Sequence, residues 1–175
     1  MRMQIRSHTT INAPATEVWH VIAQQFDAIG EWASSIPTSY AAPEVSPLPG
    51  AEVGARVCAT GVRGFKDVHE QFTSYDEEAM RFAYEATTGL PWIVRHAENH
   101  WQVRPLDQSR CEVEAQAVVV LRAVPGLILA PLLRIQMNRL GRQTFEELKY
   151  YVEQGKPHPR KVGSARAVRQ VVQRG

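Results

Sequence analysis

The chain has 175 residues, 44% of them hydrophobic and 22% charged, with a formal net charge of +2. That length suits one domain with a substantial core, and the composition is that of an ordinary globular protein. No apolar run reaches about 18 residues, which excludes a transmembrane helix.

The opening MRMQIRSHTT has neither an apolar centre nor a small-residue cleavage site, so no signal peptide is expected. Cys58 and Cys111 stand singly in strand patterns. They suit a reducing, cytoplasmic setting and suggest neither a disulfide framework nor a zinc site. The charge is uneven. Lys156, Arg160, Lys161, Arg166, Arg169 and Arg174 end the chain without a carboxylate, so residues before them carry a net −4. The expected division is one domain over 1–155 and a basic, flexible tail over 156–175.

Residues 3–11 alternate weakly and read as a first strand. Pro14 suits a first helical turn and Glu17 the positive end of the helix dipole, so a short helix follows with Val18 and Ile22 buried. A second short helix is expected over 26–34, on Phe26, Ile29 and Trp32 at spacings of three, with Asp27 as its cap. From Thr38 the texture changes to strands over 40–45, 53–59, 65–75, 80–85, 94–105 and 110–122, separated by turns rich in Gly, Pro and Asp.

A long helix is expected over 127–153, after the break Val124-Pro125-Gly126. Pro131 is tolerable only near a first turn, which places the regular start close to it. Leu133, Met137, Leu140, Thr144, Leu148 and Tyr151 recur at spacings of three and four and share one stripe. Gly155 and Pro157 stop the helix. A helix this long needs a broad apolar partner, and the strand block is the available one. The fold class is therefore α+β, a sheet of about six to seven strands bent around one helix.

Strand parity selects the inward residues. Glu70 shares a face with Val68 and Phe72, and Asn99 and Trp101 share one with Ala97 and Val103. Ala115 and Ala117 also point inward, and small residues opposite a long helix leave room for a ligand. The opposing expectation is that Phe72, Phe82, Trp101, Met137 and Tyr151 fill that room. A buried carboxylate such as Glu70 needs a partner or a proton. Tyr84 offers a hydroxyl, and Asn99 an amide to fix a carbonyl or hydroxyl. His96, Glu98 and His100 fall on the opposite face, where a solvated strand explains them better than a metal site; a one-residue slip would reverse this.

The opening Ile11-Asn12-Ala13-Pro14-Ala15-Thr16-Glu17-Val18-Trp19 resembles that of the START-like (SRPBCC) superfamily, as do Phe26-Asp27, Trp32, Val53-Gly54, Glu70-Gln71-Phe72 and Trp101-Gln102-Val103-Arg104-Pro105. The likeness is greatest to its polyketide cyclase/dehydrase-like branch. It implies the helix-grip fold, with an apolar tunnel between sheet and C-terminal helix as the ligand site. Receptor-like members use a Glu at the position of Glu70 to reach ligand polar groups through water. Hormone sensing is not implied, because no lysine follows Trp32 and 61–64 lack the family's Pro-containing gate.

Three readings follow. The first is a carrier of a hydrophobic or aromatic small molecule (lipid, polyketide or isoprenoid-like), held by Glu70, Tyr84, Asn99, Trp101, Ala115, Ala117, Leu133, Met137 and Leu140. The second is a cyclase/dehydratase-like enzyme with Glu70 as acid/base, supported by Tyr84 or Arg56. The third is a lipid or quinone chaperone that docks to anionic membranes through the basic tail and Leu127 to Leu133. No cofactor or metal is expected, no feature specifies a nucleic acid, and the resemblance leaves self-association open.

Overall fold

A computed structural model describes residues 1–59 and 66–164, apart from the side chains of 124–128. Alternating large and polar residues carry the chain into one antiparallel sheet. Its strands are β1 (Arg2–Ile11), β2 (Thr38–Ala41), β3 (Ala55–Ala59), β4 (Val68–Asp76), β5 (Arg81–Thr88), β6 (Val94–Pro105) and β7 (Cys111–Leu121). They lie in the order β1-β7-β6-β5-β4-β3-β2. β2 to β7 are thus a meander, and β1 closes the far edge. Bulges at His69/Glu70, Phe72/Ser74 and Val94/His96 bend the strands. The curved sheet grips α3 (Ala123–Gln154), the α+β helix-grip arrangement expected.

Between β1 and β2 the chain forms α1 (Ala15–Trp19), a π-helical turn His20–Gln24, a 3-10 turn Phe26–Ala28 and α2 (Ile29–Trp32). The second helix expected over 26–34 is therefore a broken run, and Asp27 makes no side-chain cap. The Ser39 hydroxyl explains the break. It donates to Asp27 O and accepts from Gly30 N at 2.8 Å, which holds the turn from outside the segment. Gly30 is required there, because a Cβ would lie 2.6 Å from Ser39 N.

The first expected strand of the block is also shorter than read, since β2 ends before Pro43. The turn at 61–64 lies outside the described residues. α3 begins before the Val-Pro-Gly sequence and carries Pro131 inside it. A proline costs a helix one donor and a local kink, not its continuity when the flanking turns are held. Gly155 ends α3 as expected, with φ of 64° and its N–H on Tyr151 O at 2.9 Å.

The core has two main parts. Under the short helices, Phe26 sits 4.1 Å from the Phe72 ring centroid, and Trp19 packs edge-on to Phe82. Near the start of α3, a smaller cluster joins Met3, Val119, Leu121 and Ala130 with Leu133 and Met137.

The described residues after Gly155 pack on the body. Residues 159–164 are helical and bury Lys161, whose Nζ donates to Ile36 O at 2.7 Å and Pro37 O at 3.0 Å. Arg160 reaches Glu146 at 2.7 Å and the buried Glu147 at 3.2 Å. The first part of the basic tail is thus fastened to the body. Residues 165–175 lie outside the described residues. Among those described, no helix is long and apolar enough to cross a membrane.

Candidate functional site

A cavity of about 230 Å³ lies between the concave face of the sheet and α3. Two cross-strand rows make its floor. One runs Tyr84, Asn99, Ala117, Ile5 across β5, β6, β7 and β1; the other runs Trp101, Ala115, Ser7. The roof is the α3 stripe, with Met137, Leu140, Thr144 and Phe145. Gly141 lets α3 come down on β1, where a Cβ would lie 2.7 Å from Ser7 Oγ. Ala33, Ser35 and Ile36 close one end, after α2.

Eight of the nine residues expected at the ligand site meet on this wall: Glu70, Tyr84, Asn99, Trp101, Ala115, Ala117, Met137 and Leu140. Leu133 does not. It packs in the smaller cluster with Val119 and Leu121 and does not line the cavity. His96, Glu98 and His100 lie on the outer face, where Glu98 stands 3.7 Å from His96 and 3.4 Å from His100.

Part of the expected filling does occur. Phe72 and Phe82 are buried, but against Phe26, Trp19 and Tyr75 at one end of the sheet. Phe82, Trp101 and Phe145 then stack in series, with Trp101 and Phe145 centroids 5.3 Å apart and nearly parallel. This stack joins sheet to helix and props the cavity open beside it. Phe145, Ser7 and Ile36 escaped the reading of the sequence; the alternation of Met3, Ile5 and Ser7 was the signal available for Ser7.

At the cavity's polar end lies an ion pair. Arg56 Nε donates to Glu70 Oε2 at 2.6 Å, with Arg56 3% and Glu70 16% exposed. Arg56 also donates to Phe26 O at 2.8 Å. Its guanidinium lies over the Phe26 ring at 3.9 Å and the Tyr84 ring at 4.9 Å. Burial alone would pull the guanidinium down, but Glu70 first and then Tyr84 and Cys58 outweigh it, so Arg56 stays charged.

Burial, and then the Glu70 charge, push the Tyr84 hydroxyl well above its ordinary value. The Tyr84 hydroxyl therefore keeps its proton beside the ion pair. Burial pushes the Cys58 thiol up to about 12 against the lowering pull of Arg56, and the thiol donates to Glu70 Oε2 at 3.5 Å. Both of these donors use Oε2. Among the described residues Oε1 of Glu70 accepts no hydrogen bond, and Glu70 lines the cavity. The Trp101 N–H is buried beside the Tyr84 hydroxyl, which it acts to lower, without reaching full hydrogen-bond geometry.

Residues 2–153 match the family described as polyketide cyclase / dehydrase and lipid transport. The chain belongs to this family. Solved structures with the same fold include a START superfamily protein from Mycobacterium smegmatis, with a TM-score of 0.67 and 14% identity over 86% of this chain and 97% of that one. The ZhuI aromatase/cyclase from Streptomyces sp. R1128 aligns with a TM-score of 0.61 and 18% identity over 87% and 96%. Norcoclaurine synthase from Thalictrum flavum, solved with dopamine and hydroxybenzaldehyde, gives 0.61 and 16% over 90% of each chain. No curated protein matches. At these identities the neighbours bear on the fold, and this polyketide cyclase/dehydrase family member must be read from its own cavity.

Proposed function

We propose that the chain binds one small hydrophobic molecule with an aromatic ring and a hydrogen-bond donor, and acts as its carrier. The observation that carries this reading is an apolar cavity whose polar end holds a fixed carboxylate, one oxygen of which accepts no hydrogen bond among the described residues. The ring lies against Trp101 and Phe145, and a hydroxyl or amine of the ligand donates to Glu70 Oε1.

Size supports the same class. An engineered apolar cavity of about 150 Å³ takes up benzene, so about 230 Å³ suits one substituted ring. A diacyl lipid or a fused polyketide needs far more room. The norcoclaurine synthase neighbour was solved with single-ring molecules, which lends the size class an analogy within the fold. The test is native mass spectrometry of the purified chain titrated with substituted phenols and phenethylamines. One-to-one complexes that weaken in Glu70→Gln support the reading; no complex with any of them defeats it.

A second reading, a cyclase- or dehydratase-like enzyme, is favoured by the same Oε1. Arg56 holds the carboxylate in place for an acid/base role towards a substrate. Glu70→Gln separates the two readings: a carrier loses affinity, whereas an enzyme keeps ligand and loses turnover.

A further inference from the structure

The first half of α3 presents an outward face that the fold leaves bare. Leu132, Ile135, Arg139 and Arg142 follow one another at spacings of three, four and three, so they share one side of the helix. All four are exposed, Leu132 at 55% and Ile135 at 66%. Leu129 borders the same side and is also exposed. Trp92, 71% exposed, stands at the same end of the molecule, because Arg122 at the foot of α3 donates to Trp92 O at 2.6 Å.

Charge decides what fits this face. From Arg122 to Phe145 the chain has Arg122, Arg134, Arg139 and Arg142 and no carboxylate. Among the described residues none of these arginines forms an ion pair. A second copy would bring the same arginines against each other. The remaining tail, 165–175, adds only Arg166, Arg169 and Arg174. An anionic occupant is therefore required. Exposed Leu, Ile and Trp beside the arginines have no role on a phosphate backbone, but they suit the boundary of headgroups and acyl chains.

We infer that α3 docks this protein on an anionic lipid bilayer, with Leu129, Leu132, Ile135 and Trp92 entering the interface and Arg139 and Arg142 meeting lipid phosphates. This docking is independent of what the cavity holds.

The test is flotation of the full chain with phosphatidylcholine vesicles, with and without phosphatidylglycerol, at low and high salt. Three variants accompany it: Leu132→Ser with Ile135→Ser, Arg139→Gln with Arg142→Gln, and a deletion of 165–175. Each arginine near an anionic surface contributes about 1 kcal/mol, so the double arginine variant should bind on the order of tenfold to thirtyfold more weakly. The double serine variant should also lose binding, and the deletion should keep most of it. Circular dichroism should remain that of the parent, since the changed residues are exposed.

Four outcomes overturn the inference. They are no flotation, equal flotation with neutral vesicles, loss only on deleting 165–175, and a dimer in sedimentation velocity that the serine variant dissolves.

Discussion

Arg56 and Glu70 face each other across β3 and β4 as Cα partners, and their side chains meet at 2.6 Å under the Phe26 and Tyr84 rings. Each secures the other in a setting where neither charge could stand alone. Removing one partner from a buried pair costs about 3–5 kcal/mol, while replacing both with apolar groups of similar volume is often neutral. Glu70→Ala should therefore destabilise the protein by roughly 3 kcal/mol in urea unfolding. Arg56→Met in the same chain should restore most of that. A double variant as unstable as the single would show that the pair has no such coupling.

Cys58 gives the pH dependence. Its thiol titrates near 9.0 when unfolded and is pushed up to about 12 in the fold. A raised folded value means that the native state holds the proton longer. The thiol's contribution is complete below the unfolded value and is lost as pH rises from there towards the folded one. Within that window one such group lowers stability by about 1.4 kcal/mol per pH unit. Thermal melts from neutral to strongly alkaline pH should fall less steeply in Cys58→Ala than in the parent. Equal slopes would remove Cys58 from the alkaline transition.

Ala117 lies on the cavity floor between Asn99 and Ile5. Ala117→Leu places a branched side chain into open volume, so it should change stability by less than about 1.5 kcal/mol. It should also weaken uptake of a single-ring ligand by about tenfold or more. Isothermal titration with a bound phenol, beside a urea melt, reads both quantities.

Lys161 pins the loop after α2 through the carbonyls of Ile36 and Pro37, and Ile36 lines the cavity. Lys161→Met removes two charge-assisted hydrogen bonds and should cost about 2 kcal/mol. Amide hydrogen exchange should quicken over 33–37 and leave β6 and β7 unchanged. Exchange that quickens everywhere would mean a global loss and not a local latch.

Much of this site was legible because parity in a regular strand is robust. Asn99 and Trp101 lie inward with Ala97 and Val103, as alternation alone requires, and the bulge at Val94/His96 falls before them. The α3 stripe was equally readable. A stripe says which side of a helix is covered, but not what covers it: Leu133 and Met137 both pack on the cluster around Met3 and Leu121, yet only Met137 also lines the cavity. Glu70 was read as inward and in need of a partner. Arg56 as that partner depends on the pairing of β3 with β4, which local pattern does not encode. The broken second helix was hidden for a similar reason, since Ser39, which breaks it, lies outside it.

β1 precedes the other strands of the sheet in the chain, and its hydrogen-bonded neighbour is β7, with Arg2 paired to Val120 and Ile11 to Cys111. A ribosome adds about 5–20 residues per second, so β1 waits roughly ten seconds for the chain that completes it. Meanwhile β2 to β6 can pair in sequence as local hairpins. High contact order is thus concentrated in one seam, and closing that seam should govern the folding rate. A nascent-chain arrest series should gain protease resistance abruptly once β7 has left the exit tunnel.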